Sequence, residues 1–397
     1  MIKLNENNRS EVFKIVEDGV YLIKKNFKVK NECLRNEKLA FGIFNDFSWM
    51  TKMIIEGENY FVREYLPGDA RLDIISIKLT EEEKENIAGQ ILDAILDMYT
   101  LGYCHRDLHA KNIFVIDGKI KIIDFEVMGE INKSVNNFIT SYDLSGVGMD
   151  SPYETNHMCF MSNHPLSITN ILEVNLSSAI NELEKILKRK LQEVTSTFQT
   201  VSSSYTTTLG KIYSSFNLPS FNIDSSITQR NNNMRLKKFK IEESDICSKT
   251  ILDLGCNAGG MLFEIQKLYP AKCLGIEYGI DKVVLANKIA AYSNLKNLVF
   301  QQADIDNINL SEFNKTFDVV LCLSIEGHLK NKKKLFELLG KVTGNLLLFE
   351  GNANTDIYEV KEILMKVGFN YIEDLGFCND DALEENNCRP LLKAYKN

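Results

Sequence analysis

Residues 103–126 read YCHRDLHAKNIFVIDGKIKIIDFE, and the first third of the chain is organised around them. The apolar runs IFVI and IKII flank Asp117-Gly118, a dipeptide suited to the tight turn of a β-hairpin. Such a hairpin returns Asp124 to the side of HRDLHAKN, the loop that carries Asp107 and Asn112. That loop can offer a carboxylate to an attacking hydroxyl and an amide oxygen to a divalent cation. Asp124 adds a second ligand for a Mg²⁺ that bridges nucleotide phosphates. An ordered set of this kind, with strands between its members, specifies phosphoryl transfer far better than any one of its residues.

Upstream, EVFKIVEDGVYLIKK reads as two strands about a turn at Asp18-Gly19. It ends in Lys24, a strand lysine placed to neutralise nucleotide phosphates, with Lys25 competing for the role. Glu37, in NECLRNEKLAFGIF, is the expected helix partner for this lysine, with Glu32 as the competitor. YFVREYLPG then reads as a strand entering a Pro-Gly turn, where a hinge between lobes falls. TEEEKENIAGQILDAILDMYTLG reads as a helix opened by a Thr80/Glu83 capping box and closed at Gly102. Ile87, Ile91, Ile95 and Met98 share one face, so this helix packs under the catalytic loop.

On these residues, 1 to about 165 resemble a small kinase-fold domain, with HRDLHAKN as catalytic loop and DFE where the fold commonly has DFG. The resemblance implies ATP and Mg as cofactors, Asp107 as the catalytic carboxylate, and Asn112 and Asp124 as metal ligands. Three departures are visible. No glycine-rich loop precedes Lys24, Glu126 replaces a glycine beside the metal residue, and His109 stands where protein kinases have lysine. With only about 40 residues following DFE before the domain ends, the acceptor is expected to be a glycan or small-molecule hydroxyl. His105 is expected to brace the loop, and His157 and His164 to be ordinary polar residues.

Residues 166–245 form the expected helical connector. Apolar positions from Leu176 to Leu209 recur at steps of three and four, which fits an amphipathic helix or an intersubunit coiled coil, hence a homo-oligomer. NLPSFNID (217–224) reads as a linker, and Arg230, Arg235, Lys237, Lys238 and Lys240 as a solvated basic face, with an anion or RNA contact as the sharper alternative.

In residues 246–397, TILDLGCNAGGMLFEI is a buried strand, a glycine turn and a helix. CLGIEYGI ends a second strand at Glu277, LVFQQADI a third before Asp304, and FDVVLCLSI supplies a fourth. This alternation implies a parallel sheet with its ligand at the carboxyl ends of the strands. The region closely resembles class I S-adenosylmethionine-dependent methyltransferases. By that likeness Asp253, Gly255, Asn257 and Gly259 surround the methionine part, Glu277 binds ribose, and Asp304 with Ile305 meets adenine. Asn257 stands where many relatives have glycine. Glu326 and His328 fall where the acceptor is expected, His328 as base or orienting group, and Arg389 reads as structural.

The fold class is therefore two-domain, α+β then α/β: a kinase-like fold, a helical connector and a Rossmann-like methyltransferase. The combination resembles bifunctional enzymes that cap growing bacterial O-antigen polysaccharides, which also carry a coiled coil but place the two domains in the opposite order. It implies phosphorylation of a terminal sugar followed by methylation. Two alternatives stand beside it, a methyltransferase with a regulatory nucleotide-binding pseudokinase and an RNA-modifying enzyme. The 46 basic and 54 acidic residues among 397 weigh against nucleic acid. Nine cysteines without a CxxC pair suit reduced thiols and a cytoplasmic setting. No apolar run reaches membrane-spanning length, while peripheral membrane association stays open.

Overall fold

The computed structural model describes residues 1–28, 32–130, 165–175, 182, 185–186, 189–197, 212–308 and 315–396. Described residues up to 189 fall in one compact unit and those from 190 onward in a second. Among the described residues no helix is long and apolar enough to cross a membrane. His157 and His164 lie outside the described residues, as does most of the expected connector helix.

The first unit opens with a five-stranded antiparallel sheet in the order β1-β2-β3-β5-β4. Its strands are β1 (Ile2–Glu6), β2 (Ser10–Glu17), β3 (Val20–Phe27), β4 (Met53–Glu56) and β5 (Tyr60–Glu64). The β2–β3 hairpin turns at Asp18 and Gly19, both at positive φ (48° and 79°), the geometry that the right-handed twist of paired strands favours. Helix α1 (Glu32–Phe44) buries Leu34, Glu37, Ala40, Phe41 and Phe44. Helix α2 (Glu81–Thr100) carries the Thr80/Glu83 capping box and buries Ile87, Ile91, Ile95 and Met98, as its periodicity requires. Gly102 follows its end at φ 89°, a left-handed closure that glycine adopts freely.

Beyond α2 come β6 (Tyr103–Cys104), the hairpin β7 (Ile113–Ile116) with β8 (Lys119–Ile122), and β9 (Gly129–Glu130), which pairs with β6. Asp117 and Gly118 supply the turn at φ 48° and 72°.

The second unit begins with helical residues 190–197, the described part of the expected connector helix, which bury Leu191 and Val194. Short paired strands β10 (Ile212–Ser214), β11 (Phe216–Asn217), β12 (Asn222–Ile223) and β13 (Thr228–Arg230) follow, then α3 (Asn232–Lys238). The stretch expected as a linker is therefore folded. Phe216, Phe221 and Ile223 are buried, and the Phe216 ring lies 5.7 Å from that of Phe263. The basic run also divides: Lys237, Lys238 and Lys240 are exposed as expected, but Arg230 and Arg235 are buried among carboxylates.

The main sheet has seven strands in the order β16-β15-β14-β17-β18-β20-β19. They are β14 (Thr250–Leu254), β15 (Lys272–Glu277), β16 (Leu298–Gln302), β17 (Phe317–Leu323), β18 (Thr343–Glu350), β19 (Tyr371–Cys378) and β20 (Arg389–Tyr395). The first five run parallel, and β20 lies antiparallel between β18 and β19, so β19 runs in the same direction as the first five. Helices α4 (Gly260–Ile265), α5 (Ile280–Tyr292), α6 (Lys332–Val342) and α7 (Ile357–Lys366) connect them. Strand order reverses about β14, so a crevice for a ligand opens at the carboxyl ends of β14 and its neighbours.

Candidate active sites

In the first unit the lysine that meets the helix glutamate is Lys25, not Lys24. Its Nζ lies 2.6 Å from Glu37 Oε1, 2.8 Å from Asp124 Oδ1 and 2.8 Å from Glu126 Oε1. Side chains alternate along a strand, so Lys25 shares a face with buried Ile23 and Phe27. Lys24 points the other way, its Nζ 4.1 Å from the centroid of the Tyr60 ring. Glu37 is 2% exposed, whereas Glu32 is exposed in the first turn of α1. Burial alone would discharge Lys25, but Glu37, Asp124 and Glu126 keep its pKa above the ordinary value.

The two loops that frame the hairpin are tied together through backbone and side chain. Asn112 Nδ2 donates to the Asp107 carbonyl (3.0 Å), leaving Oδ1 as the amide atom suited to a cation, and Ile123 N donates to the Asn112 carbonyl (3.0 Å). His105 is fully buried and braces both loops. Its Nδ1 accepts from Asp107 N (3.3 Å), so the ring proton resides on Nε2, which donates to the Ile123 carbonyl (3.0 Å). Burial lowers its pKa to about 4, so the ring is a neutral orienting group. Asp107 is pushed up to about 6 by burial and then by the charge of Asp124. His109 Nε2 stands 3.6 Å from Asp107 Oδ1.

Asp124 itself sits at φ 70°, which turns it out of β8 toward Lys25, while Phe125 is buried with its ring 4.5 Å from His105 and 5.8 Å from Phe44. Asn36 Nδ2 donates to the Glu126 carbonyl (2.9 Å) and so fastens α1, with Glu37, against this segment. The donors fit a divalent cation chemically: the Asn112 amide oxygen and the Asp124 carboxylate are hard oxygen ligands. In the sequence Glu126 registers only as a departure from glycine. The structure makes it the third carboxylate on Lys25 and a partner of Arg9 and Ser10.

In the second unit, Gly255 (φ 73°), Asn257 (φ 53°) and Gly259 (φ 82°) form a left-handed loop after β14. A Cβ on Gly255 would meet Ile325 Cγ2 at 2.3 Å, and one on Gly259 would meet the Phe300 ring at 2.4 Å, so both glycines serve close packing as well as φ. Asn257 takes the same backbone region because asparagine tolerates it. Glu277, at the end of β15, accepts from Asn257 N through Oε2 and from Gly279 N through Oε1, both at 2.9 Å. Each oxygen keeps a second lone pair for a ribose hydroxyl. Asp253 is fully buried, and that burial raises its pKa to about 8. Asp304 is held in its turn by Asp306 N (3.0 Å) and Asn307 Nδ2 (2.8 Å), beside buried Ile305. A shaped glycine loop with an anchored carboxylate over the strand ends fits S-adenosylmethionine.

Glu326 is buried, accepting from Gly327 N (2.9 Å) and from Thr355 Oγ1, and therefore shapes its loop. His328 is exposed and lines a cavity of about 760 Å³ with Asn352, Asn354 and Lys332. A buried cluster lies behind these loops. Glu350 accepts from Arg230 Nη2 (2.8 Å) and Arg235 Nε (2.9 Å), Asp380 accepts twice from Arg230, and Arg389 reaches Asp381 at 3.2 Å. It anchors β13 and α3 to the ends of β18 and β20, a role that the basic run in sequence did not reveal.

Two family models match the chain: the protein kinase domain over residues 5–147 and a methyltransferase domain over 247–385. The chain thus carries a protein kinase domain followed by a methyltransferase domain. A probable serine/threonine-protein kinase of Dictyostelium discoideum is 25% identical over 135 residues, 32% of this chain and 10% of that protein. Norajmaline N-methyltransferase of Rauvolfia serpentina is 32% identical over 94 residues, 24% of this chain and 32% of that protein. The chain therefore spans about a tenth of the kinase relative and about a third of the methyltransferase relative. Among solved structures, the magnesium protoporphyrin IX methyltransferase of Synechocystis PCC 6803 with bound S-adenosylmethionine is similar at TM-score 0.35 and 14% identity, over 42% of this chain and 78% of that one.

Proposed function

We propose that the protein phosphorylates a hydroxyl of a glycan or small molecule with Mg-ATP and methylates the product, or a related acceptor, with S-adenosylmethionine. The observation that carries this reading is the ion pair of Lys25 with Glu37 and Asp124, set beside a loop that holds Asp107 and Asn112. Lys25 binds the nucleotide phosphates and Glu37 holds it in position. Asp107 accepts the proton of the acceptor hydroxyl as its oxygen bonds to the γ-phosphorus, the bond from that phosphorus to the β–γ bridging oxygen breaks, and ADP leaves. Bound at Asn112 and Asp124, Mg²⁺ supplies neutralisation of the phosphate charge. His109, 3.6 Å from Asp107 where protein kinases have lysine, suits an acceptor other than a protein chain.

S-adenosylmethionine supplies an electrophilic methyl group. Asp253, Gly255, Asn257 and Gly259 enclose its methionine end, Glu277 its ribose, and Asp304 with Ile305 its adenine. Alignment does most of the remaining work, since an anionic phosphate acceptor needs no base, and His328 orients that acceptor at its cavity. A terminal sugar phosphate is the acceptor that joins the two reactions on one product. The test is transfer of the γ-phosphate of ATP and the methyl of S-adenosylmethionine into one oligosaccharide. Methyl transfer with no ATP consumption would instead support a regulatory nucleotide-binding first domain.

A further inference from the structure

The turn between β1 and β2 lies at the edge of the Lys25 cluster and has the wrong chemistry for a glycine-rich phosphate loop. Asn7 Oδ1 accepts from Arg9 N and from Ser10 N, each at 2.7 Å. Asn7 N in turn donates to the Ser10 carbonyl at 3.0 Å. The backbone amides of residues 7, 9 and 10, which a glycine-rich loop would aim at phosphate oxygens, are thus already engaged within the turn. The positive charge that replaces them comes from a side chain. Arg9 Nη1 is 3.7 Å from Glu126 Oε2, while Ser10 Oγ is 3.3 Å from Glu126 Oε1. That same Oε1 is 2.8 Å from Lys25 Nζ. Arg9 and Lys25 therefore converge on one carboxylate at the position where the kinase fold commonly has glycine, and Lys25 continues to Asp124.

We propose that Arg9, steered over the site by Glu126, is the residue that covers the nucleotide phosphates in this kinase domain. A guanidinium does here what backbone amides do in a glycine-rich loop. Glu126 holds the two cations in place before the nucleotide arrives, and the phosphates take over as their counter-anion when it binds. The Arg9 side chain is 38% exposed, so it can exchange partners without opening the core.

The inference rests on the kinase reading, and the test separates the two. Binding of Mg-ATP and of adenosine to the full chain is measured by calorimetry for the unsubstituted protein, Arg9→Ala and Arg9→Lys. The expected result is a loss of Mg-ATP affinity of about 10- to 100-fold in Arg9→Ala, partial recovery in Arg9→Lys, and unchanged adenosine affinity in both. The dependence of Mg-ATP affinity on salt should also weaken in Arg9→Ala, because one exposed cation has been removed. Unchanged Mg-ATP affinity in Arg9→Ala overturns this inference alone. Equal loss of adenosine and Mg-ATP in both variants also overturns it, since Arg9 would then shape the pocket. Failure of the unsubstituted chain to bind Mg-ATP overturns the kinase reading together with this inference.

Discussion

Replacing Lys25 with methionine should destabilise the first domain and make its stability rise more steeply as pH falls than in the intact chain, where burial already holds the Glu37 and Asp107 carboxyls above their ordinary values. In the intact protein one ammonium, 10% exposed in its side chain, balances Glu37, Asp124 and Glu126 at 2.6 to 2.8 Å. Its folded pKa is raised, so the stabilisation it contributes is complete below the unfolded value near 10.4 and is lost only as pH rises through the folded one. Between pH 5 and 8 the lysine therefore adds no slope. Methionine fills much of the same volume but leaves three carboxylates with ligand atoms within 4.8 Å of one another and no lysine between them. Breaking a buried pair costs about 3–5 kcal/mol. The lower end applies here, because the Asp124 side chain is 38% exposed and Arg63 acts on both Glu37 and Asp124. About 3 kcal/mol corresponds to a fall in Tm of roughly 6–12 °C for a domain of this size. The carboxylates left behind bind protons more tightly folded than unfolded, so the variant should gain stability as pH falls from 7 to 5. Thermal unfolding of Lys25→Met and Lys24→Met without Mg²⁺ or nucleotide reads this directly. Among the described residues Lys24 makes a cation–π contact with Tyr60 and no ion pair, so Lys24→Met should cost about 0.5–1 kcal/mol. Equal costs for the two variants, or a Lys25→Met curve that rises toward pH 5 no more steeply than that of the intact chain, would refute the reasoning.

Glu350→Gln should destabilise the second domain by about 3–5 kcal/mol, seen as a lower Tm for the transition that S-adenosylmethionine shifts, because it leaves Arg230 and Arg235 buried without their shared carboxylate. Burial alone would raise the Glu350 pKa, but Arg235 and Arg230 bring it down to about 2. Its contribution of roughly 3 kcal/mol is therefore present above pH 4.5 and lost as pH falls toward 2, a dependence that the glutamine variant should lack in acid titrations. Gly255→Ala should abolish S-adenosylmethionine binding in calorimetry, since its Cβ meets Ile325 at 2.3 Å and φ is 73°. Asn257→Gly should keep that binding, and Asn257→Val should weaken it, as φ 53° suits a β-branched residue poorly. Light scattering of the chain with and without residues 176–209 should show loss of a homo-oligomer if that segment forms a coiled coil.

Much of both domains was legible because their decisive signals are local. The Asp117-Gly118 turn, the Thr80/Glu83 box and the left-handed positions 255, 257 and 259 each depend on a few adjacent residues. What sequence could not give was pairing across distance. Lys24 and Lys25 are neighbours on a strand whose two faces both carry apolar residues, Leu22 on one and Ile23 on the other, so only the packing of α1 decides which lysine meets Glu37. Ion pairs linking Arg230 to Glu350 and Asp380 span 120 and 150 residues, and a run of basic residues read alone looks solvated. Glu126 drew notice as a departure, yet its partners Arg9 and Ser10 lie in a polar opening segment whose first strand no periodicity announced.

The most direct test of the phosphoryl-transfer site is release of the γ-phosphate from Mg-ATP, followed in the full chain and in Asp107→Asn, with S-adenosylmethionine binding measured alongside. The account predicts turnover in the unsubstituted chain, a loss of about 100- to 10,000-fold in the variant, and unchanged S-adenosylmethionine affinity. Turnover that Asp107→Asn leaves intact, or none in either protein, would contradict it.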